Sequence, residues 1–196
     1  HANGVLELAS RLRFNAIITG PAVDEAGAQV LAVLGQAGMM ATTAVGGMEV
    51  ALGDGLVLDI LYPPDPPVRG TGADVNNNSV AAMLRWGEAS VLFTGDLHTQ
   101  GEEVLLSLGA DVDADVLQVG HHGSATSSTN AFLDAVTPTI AVISAGEGNP
   151  FGHPAAQVVE RLTVYTAEDG VLNTAEVGMV ELYTEGNDWF RVGGSP

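Results

Sequence analysis

The chain has 196 residues, enough for one domain with a sizeable core, and its 46% apolar share separates it from disordered chains. Its formal net charge is −18 with no cysteine and no lysine, which excludes disulfide bridges and thiolate metal sites and argues against a basic face for gripping phosphates. No apolar run reaches the ~20 residues of a membrane-spanning helix, and no signal peptide is visible, so the chain as given reads as soluble.

Every cation is an arginine (Arg11, Arg13, Arg69, Arg85, Arg161, Arg191). Two readings fit that acidity. One is a saline habitat, where charge maintains solubility; the other is a site that meets a polyanion only through bound metal. We favour the first.

In chain order, Gly4 to Arg13 carries a helical apolar period, and Asn15 to Thr19 is a short buried strand closed by Gly20-Pro21. Asp24 to Gln36 reads as a second helix. Met48 to Leu52 and Leu56 to Tyr62 form a hairpin around Gly53-Asp54-Gly55, and a Pro/Gly loop follows from Pro63 to Val75. Ser79 to Trp86 and Ser90 to Thr94 pair around Gly87. Gln100 to Leu108 is a helix stopped by Gly109. Val116 to Val119 and Thr139 to Ser144 are strands, separated by a helix from Asn130 to Ala135 whose cap is Thr129 or Asn130. Ala155 to Leu162 is the last helix. From Val164 to Val192 we expect three or four short strands, broken at Asp169-Gly170 and Gly186-Asn187. No repeat or linker divides the chain, so one layered α/β domain, residues 1–196, is expected on a mostly antiparallel plan.

Chemistry concentrates where apolar strands stop. VLFTGD ends on Asp96, VLQVGHHGSATSS places His121 and His122 beyond a strand, and NPFGHP holds His153 in a Pro/Gly-shaped loop. A carboxylate and imidazoles on successive strand ends suit a hydrolytic metal centre. Singly, each has a plainer reading: Asp96 as a turn or cap residue, the His pair as a solvated strand end, His153 as a loop residue. Neighbours on an extended segment point to opposite faces, so at most one of His121 and His122 is expected to ligate. Ser124 offers a turn hydroxyl. Asn76, Asn77, Asn78 and Ser79 are either a polar turn or donors for an anionic substrate, and His98 reads as a surface residue or a helix start.

Together these strings resemble the metallo-β-lactamase-type domain of the ComEC competence family. LFTGD, VLQVGHHGSATSS, NPFGHP, the NNNSV segment and the late TAEDGVLN all follow that pattern, over essentially the whole chain. The resemblance implies an αββα four-layer sandwich and metal-assisted hydrolysis. Asp96 would bridge two divalent ions, zinc or manganese, with His1, His121 or His122 and His153 as further ligands. Asn77, Asn78, Ser79, Ser124 and His153 would contact substrate. HANGVLEL resembles the end of the family's His-x-His-x-Asp-His motif, which makes His1 its last histidine. The domain is thus expected to lack its first strands and most of that motif. No histidine occurs from Ala2 to Leu97, so the superfamily's intermediate histidine has no counterpart.

Three functions follow from the resemblance. The first is a phosphodiesterase or nuclease acting on single-stranded DNA or another phosphodiester, attached to the membrane channel of a DNA-uptake protein and placed outside the cytoplasm. The second is a stand-alone, cytoplasmic hydrolase of a small phosphoester or ester. The third is a non-catalytic module that guides DNA.

Overall fold

A computed structural model describes residues 14, 16–36 and 38–192. The helix expected over Gly4 to Arg13, and His1, lie outside the described residues.

The first elements are β1 (Ile17–Thr19), α1 (Glu25–Gln36) and β2 (Ala41–Thr43). Asp24 starts α1 by accepting the Gly27 N–H at 2.8 Å, the short-range cap that Asp supplies well. A meander of β3 (Met48–Gly53), β4 (Leu56–Tyr62), β5 (Ala81–Trp86) and β6 (Ala89–Phe93) follows. Helices then alternate with strands: α2 (Thr99–Ser107), β7 (Val116–Gln118), α3 (Asn130–Val136), β8 (Ile140–Ile143), α4 (Ala156–Tyr165) and β9 (Val171–Asn173). The chain closes with α5 (Thr174–Val177), β10 (Leu182–Thr184) and β11 (Trp189–Arg191).

Strands β3 to β9 form one seven-stranded sheet in sequence order. β3 to β6 pair antiparallel, but β6, β7, β8 and β9 pair parallel. The expected antiparallel plan is therefore corrected: each helix from α2 to α4 is a crossover, and such a connection returns the chain to the same end of the sheet. Three short strands follow Val164, as expected, with one short helix among them. α4 extends through Tyr165, and the Asn173 side chain accepts the Ala175 N–H at 3.1 Å, turning the next four residues into α5.

Alternation along β5 defines two cores. Ala81 and Met83 enter one with Leu92 and Leu117, beneath Leu105, Phe132, Leu133, Val158 and Leu162 of the three crossover helices. Ala82 faces the other side and meets Ile60, Ala44 and Ile18, so the parallel β1–β2 pair covers that face. α1 contacts β2 in turn and buries Leu34. Helices, sheet, strand pair and helix follow in the αββα order expected.

The β10–β11 hairpin is fastened to the β5–β6 turn, where the Gly186 carbonyl accepts the N–H groups of Glu88 at 2.7 Å and Ala89 at 3.2 Å. Gly87 makes this approach possible: its φ is +63°, and a Cβ there would sit 2.5 Å from the Gly186 oxygen. Gly109 also has a positive φ but faces open space. Gly87→Ala is expected to cost about 1–3 kcal/mol more than Gly109→Ala in denaturant unfolding. Equal losses would show that the contact, as distinct from backbone conformation, contributes nothing.

Candidate functional site

Parallel pairing of Val91 with Val116 and Leu92 with Leu117 brings the ends of β6 and β7 side by side. Gln118 then links the two exits. Its side-chain oxygen accepts the N–H groups of Thr94 at 3.1 Å and Gly95 at 3.0 Å, while its carbonyl accepts the Thr94 hydroxyl at 2.9 Å. The His121 N–H donates to the Gly95 carbonyl at 2.9 Å. Beyond the histidines, Ser127 donates to the Leu97 carbonyl at 2.7 Å, and Thr99 donates through backbone and hydroxyl to the Thr126 carbonyl. The Thr-Gly-Asp turn and the His-His-Gly-Ser turn thus form one hydrogen-bonded unit.

His121 and His122 leave the extended region altogether. Their φ values are 49° and 57°, left-handed conformations that cost a side-chain-bearing residue energy and persist only when the surroundings enforce them. The premise that the pair straddles a strand therefore falls; both rings lie near Asp96's turn. His122 Nε2 is 3.4 Å from Asp96 Oδ1, and its Nδ1 is 2.7 Å from the Ser144 carbonyl at the end of β8. That carbonyl can only accept, so Nδ1 donates and Nε2 is the nitrogen turned toward the carboxylate.

His121 stacks on His98, with ring centroids 4.6 Å apart, and meets His153 edge-on at 5.6 Å. His98, at the start of α2, is also held by the Asn76 amide, 2.9 Å from its Nε2. Burial holds the imidazoles of His98 and His121 below the usual histidine value, against the pull of Asp96. His153 lies in a loop wrapped on Asn149, whose Oδ1 accepts the His153 and Phe151 N–H groups at 3.1 and 3.2 Å. Asp96, His121, His122 and His153 are thus brought together, joined by His98 and Asn76. His1 is outside the described residues.

The other expected substrate contacts are engaged elsewhere. Asn77 is fully buried; its amide donates to Thr71 and Gln100, and its oxygen accepts the Gly101 N–H at 2.9 Å. Asn78 donates to the Val68 and Asp74 carbonyls and accepts the Val68 N–H. Both amides hold the 63–75 loop, and Asn76 is the asparagine that faces the histidines. Ser79 accepts the Asp96 N–H at 3.2 Å and so positions the carboxylate. The buried Ser124 hydroxyl pairs with Thr126 at 3.0 Å within its own turn.

A cavity of about 1090 Å³ opens beside this cluster. Asp96, His122, Ser79 and Asn76 border its polar end, and Val30, Leu31 and Leu34 of α1 its apolar end. Among the described residues, no three His, Asp or Glu side chains converge as a complete metal cage. The Asp96–His122 pair supplies two donors of the right chemistry, an oriented imidazole nitrogen facing a carboxylate.

The metallo-β-lactamase superfamily model matches residues 1–147, and the chain belongs to that superfamily. It is 34% identical over 134 residues to ComE operon protein 3 of Bacillus subtilis (strain 168), covering 68% of this chain and 17% of that protein. It is 40% identical over 128 residues to Recombination protein 2 of Haemophilus influenzae (strain ATCC 51907 / DSM 11121 / KW20 / Rd), covering 65% of this chain and 15% of the relative. Competence protein ComA of Neisseria gonorrhoeae is 39% identical over 113 residues, 57% of this chain and 16% of its own. The chain thus spans less than a fifth of the length of these relatives. The resemblance to the ComEC-type domain is borne out.

Two residues behind the site were not singled out from the sequence. Gln118 is the one polar side chain of β7; Glu102, in the first turn of α2, is nearly buried. Its two carboxylate oxygens accept the Ser128 and Thr129 N–H groups, while Arg161 donates to the Ser127 and Ser128 carbonyls. Burial raises the Glu102 carboxyl above its ordinary range, and the backbone donors and Arg161 only partly oppose it. Glu102→Gln leaves an amide facing a buried N–H and is expected to cost roughly 1–3 kcal/mol at neutral pH. A raised folded-state value contributes stability below the unfolded-state value and loses it as pH rises through the folded one. The deficit of the glutamine variant should therefore narrow on going from acidic to neutral pH. Parallel stability–pH curves for the two proteins would refute this.

Proposed function

We propose that this chain is a metal-dependent phosphodiesterase domain associated with competence, acting on single-stranded DNA. The carrying observation is the His122–Asp96 pair, with His122 Nδ1 held by Ser144. The superfamily match and the competence names of two of these relatives support the reading. A divalent metal, zinc or manganese, would acidify water at neutral pH and neutralise phosphate charge. Asp96 and His122 would hold it, joined by His1 as the resemblance implies.

The remaining groups position substrate and protons. His153 and His121 present N–H donors to phosphate oxygens at the open side of the cluster. Ser79 and Gln118 hold the Asp96 turn still, so that a phosphate meets a fixed geometry. In this reading the domain is part of a longer, membrane-associated protein and lies outside the cytoplasm; the limited share of each relative that it matches is consistent with that. No helix among the described residues is long and apolar enough to cross a membrane.

Cleavage of single-stranded DNA and bound metal are the measurements. Asp96→Ala and His122→Ala should each lower activity by at least about 100-fold, more than is typical for an outer-shell residue, and reduce metal retention. His121→Ala should retain metal better than His122→Ala. Undiminished cleavage by Asp96→Ala sinks the proposal, and the reverse order for the two histidines exchanges their roles.

A further inference from the structure

The three rings beside the carboxylate continue outward. Phe151 stacks on His153 with centroids 6.0 Å apart and planes 19° from parallel. His153 meets His121, and His121 stacks on His98. Phe151 is 78% exposed although it sits in a loop whose backbone is fastened by Asn149. A large aromatic ring held on a fixed loop, open on its outer side and one ring away from the cluster, is not a core residue.

Charge decides what such a ring is for. Proteins that bind single strands ordinarily combine a cationic groove with aromatic platforms. Here the net charge is −18, and three arginines are committed elsewhere: Arg85 pairs with Asp59 and Asp111, Arg69 bonds the Val23 carbonyl, and Arg161 bonds the 127–128 backbone. Attraction of phosphates by side chains is therefore weak. Stacking on a base face needs no cation and tolerates any sequence.

We propose that Phe151, backed by His153, is a stacking platform for a nucleobase of single-stranded nucleic acid, next to the phosphate held at the Asp96–His122 cluster. This deepens the phosphodiesterase reading and rests on it for the position of that phosphate. The base lies on the outer face of Phe151, and His153 fixes the ring from behind while its imidazole faces the histidine cluster. Affinity then comes largely from the base, and specificity for single strands follows, because a paired base in a duplex has no free face to offer.

The test compares binding of a short oligodeoxythymidine with that of an abasic oligomer of equal length and charge, at one fixed salt concentration, by fluorescence anisotropy. The wild type should favour the base-bearing oligomer by about 5- to 100-fold, the range stacking of one base provides. Phe151→Ala should bring the two affinities together without changing that for the abasic oligomer, and Phe151→Trp should preserve the preference. A wild type that does not discriminate, or a preference that survives in Phe151→Ala, overturns the platform. Cleavage is scored separately: a base preference in a protein that cleaves no phosphodiester sinks the catalytic reading and leaves base stacking standing, whereas cleavage without base preference does the opposite.

Discussion

Parallel pairing of β6 with β7 is the constraint from which the site follows. In a parallel pair both strands end at the same edge, so whatever the two sequences place after their last apolar residue must meet. Here those residues are Thr94-Gly95-Asp96 and Gly120-His121-His122. Pairing alone would leave their backbone groups unsatisfied at the sheet edge, where the ladder stops. Gln118 meets that need by accepting two N–H groups of the neighbouring turn through its side chain and a hydroxyl through its carbonyl. An apolar residue at this position would preserve the strand and lose the register of the two turns.

The surrounding electrostatics bear on the metal site proposed above. An imidazole binds metal only when neutral, and protonation competes with coordination. Burial disfavours the charged forms of His98 and His121, and several imidazoles crowded together repel one another's protons. Asp96 works against this. The balance holds His98 and His121 below the usual histidine value. The acidity of the rest of the chain bears on the proposed function from a distance: the anionic substrate proposed above would gain little from the protein's overall field and would depend on short-range contacts.

Much of this was legible in the sequence, and the limits have physical causes. Asp96, His121, His122 and His153 could be found because each ends an apolar run or sits among Gly and Pro, and the fold brings all four together. Asn77 and Asn78 looked like donors for the same reason that Asn76 did. Three identical amides in a row carry no signal of which is buried; the turn over Asn76–Asn78 decides that by rotating two of them inward. His98 read as an ordinary helix start, and it is one, but stacking on His121 depends on a partner distant in sequence. The parallel half of the sheet was misread because short apolar strands do not encode the direction of their neighbours. The short helix Thr174–Val177 was not foreseen, because four residues carry no helical period and its start rests on the Asn173 cap.

The left-handed histidines complete the argument about rigidity. Two adjacent side-chain-bearing residues with positive φ are unfavourable, so the turn must be held by contacts on more than one side. On one side His121 N–H bonds Gly95, and Glu102 and Arg161 hold the chain at 127–129. On the other, the Gly123 carbonyl accepts the Ala155 N–H at 2.9 Å, and a Cβ on Gly123 would lie 2.7 Å from Pro154 Cβ. That close approach is what seats the Phe151–His153 loop against the histidine turn. The three loops are therefore coupled in series, Asp96's turn to the histidine turn and the histidine turn to His153. A disturbance of the middle one misplaces the carboxylate and the aromatic rim together, so the strained conformation of His121 and His122 is the joint through which the whole site keeps its shape.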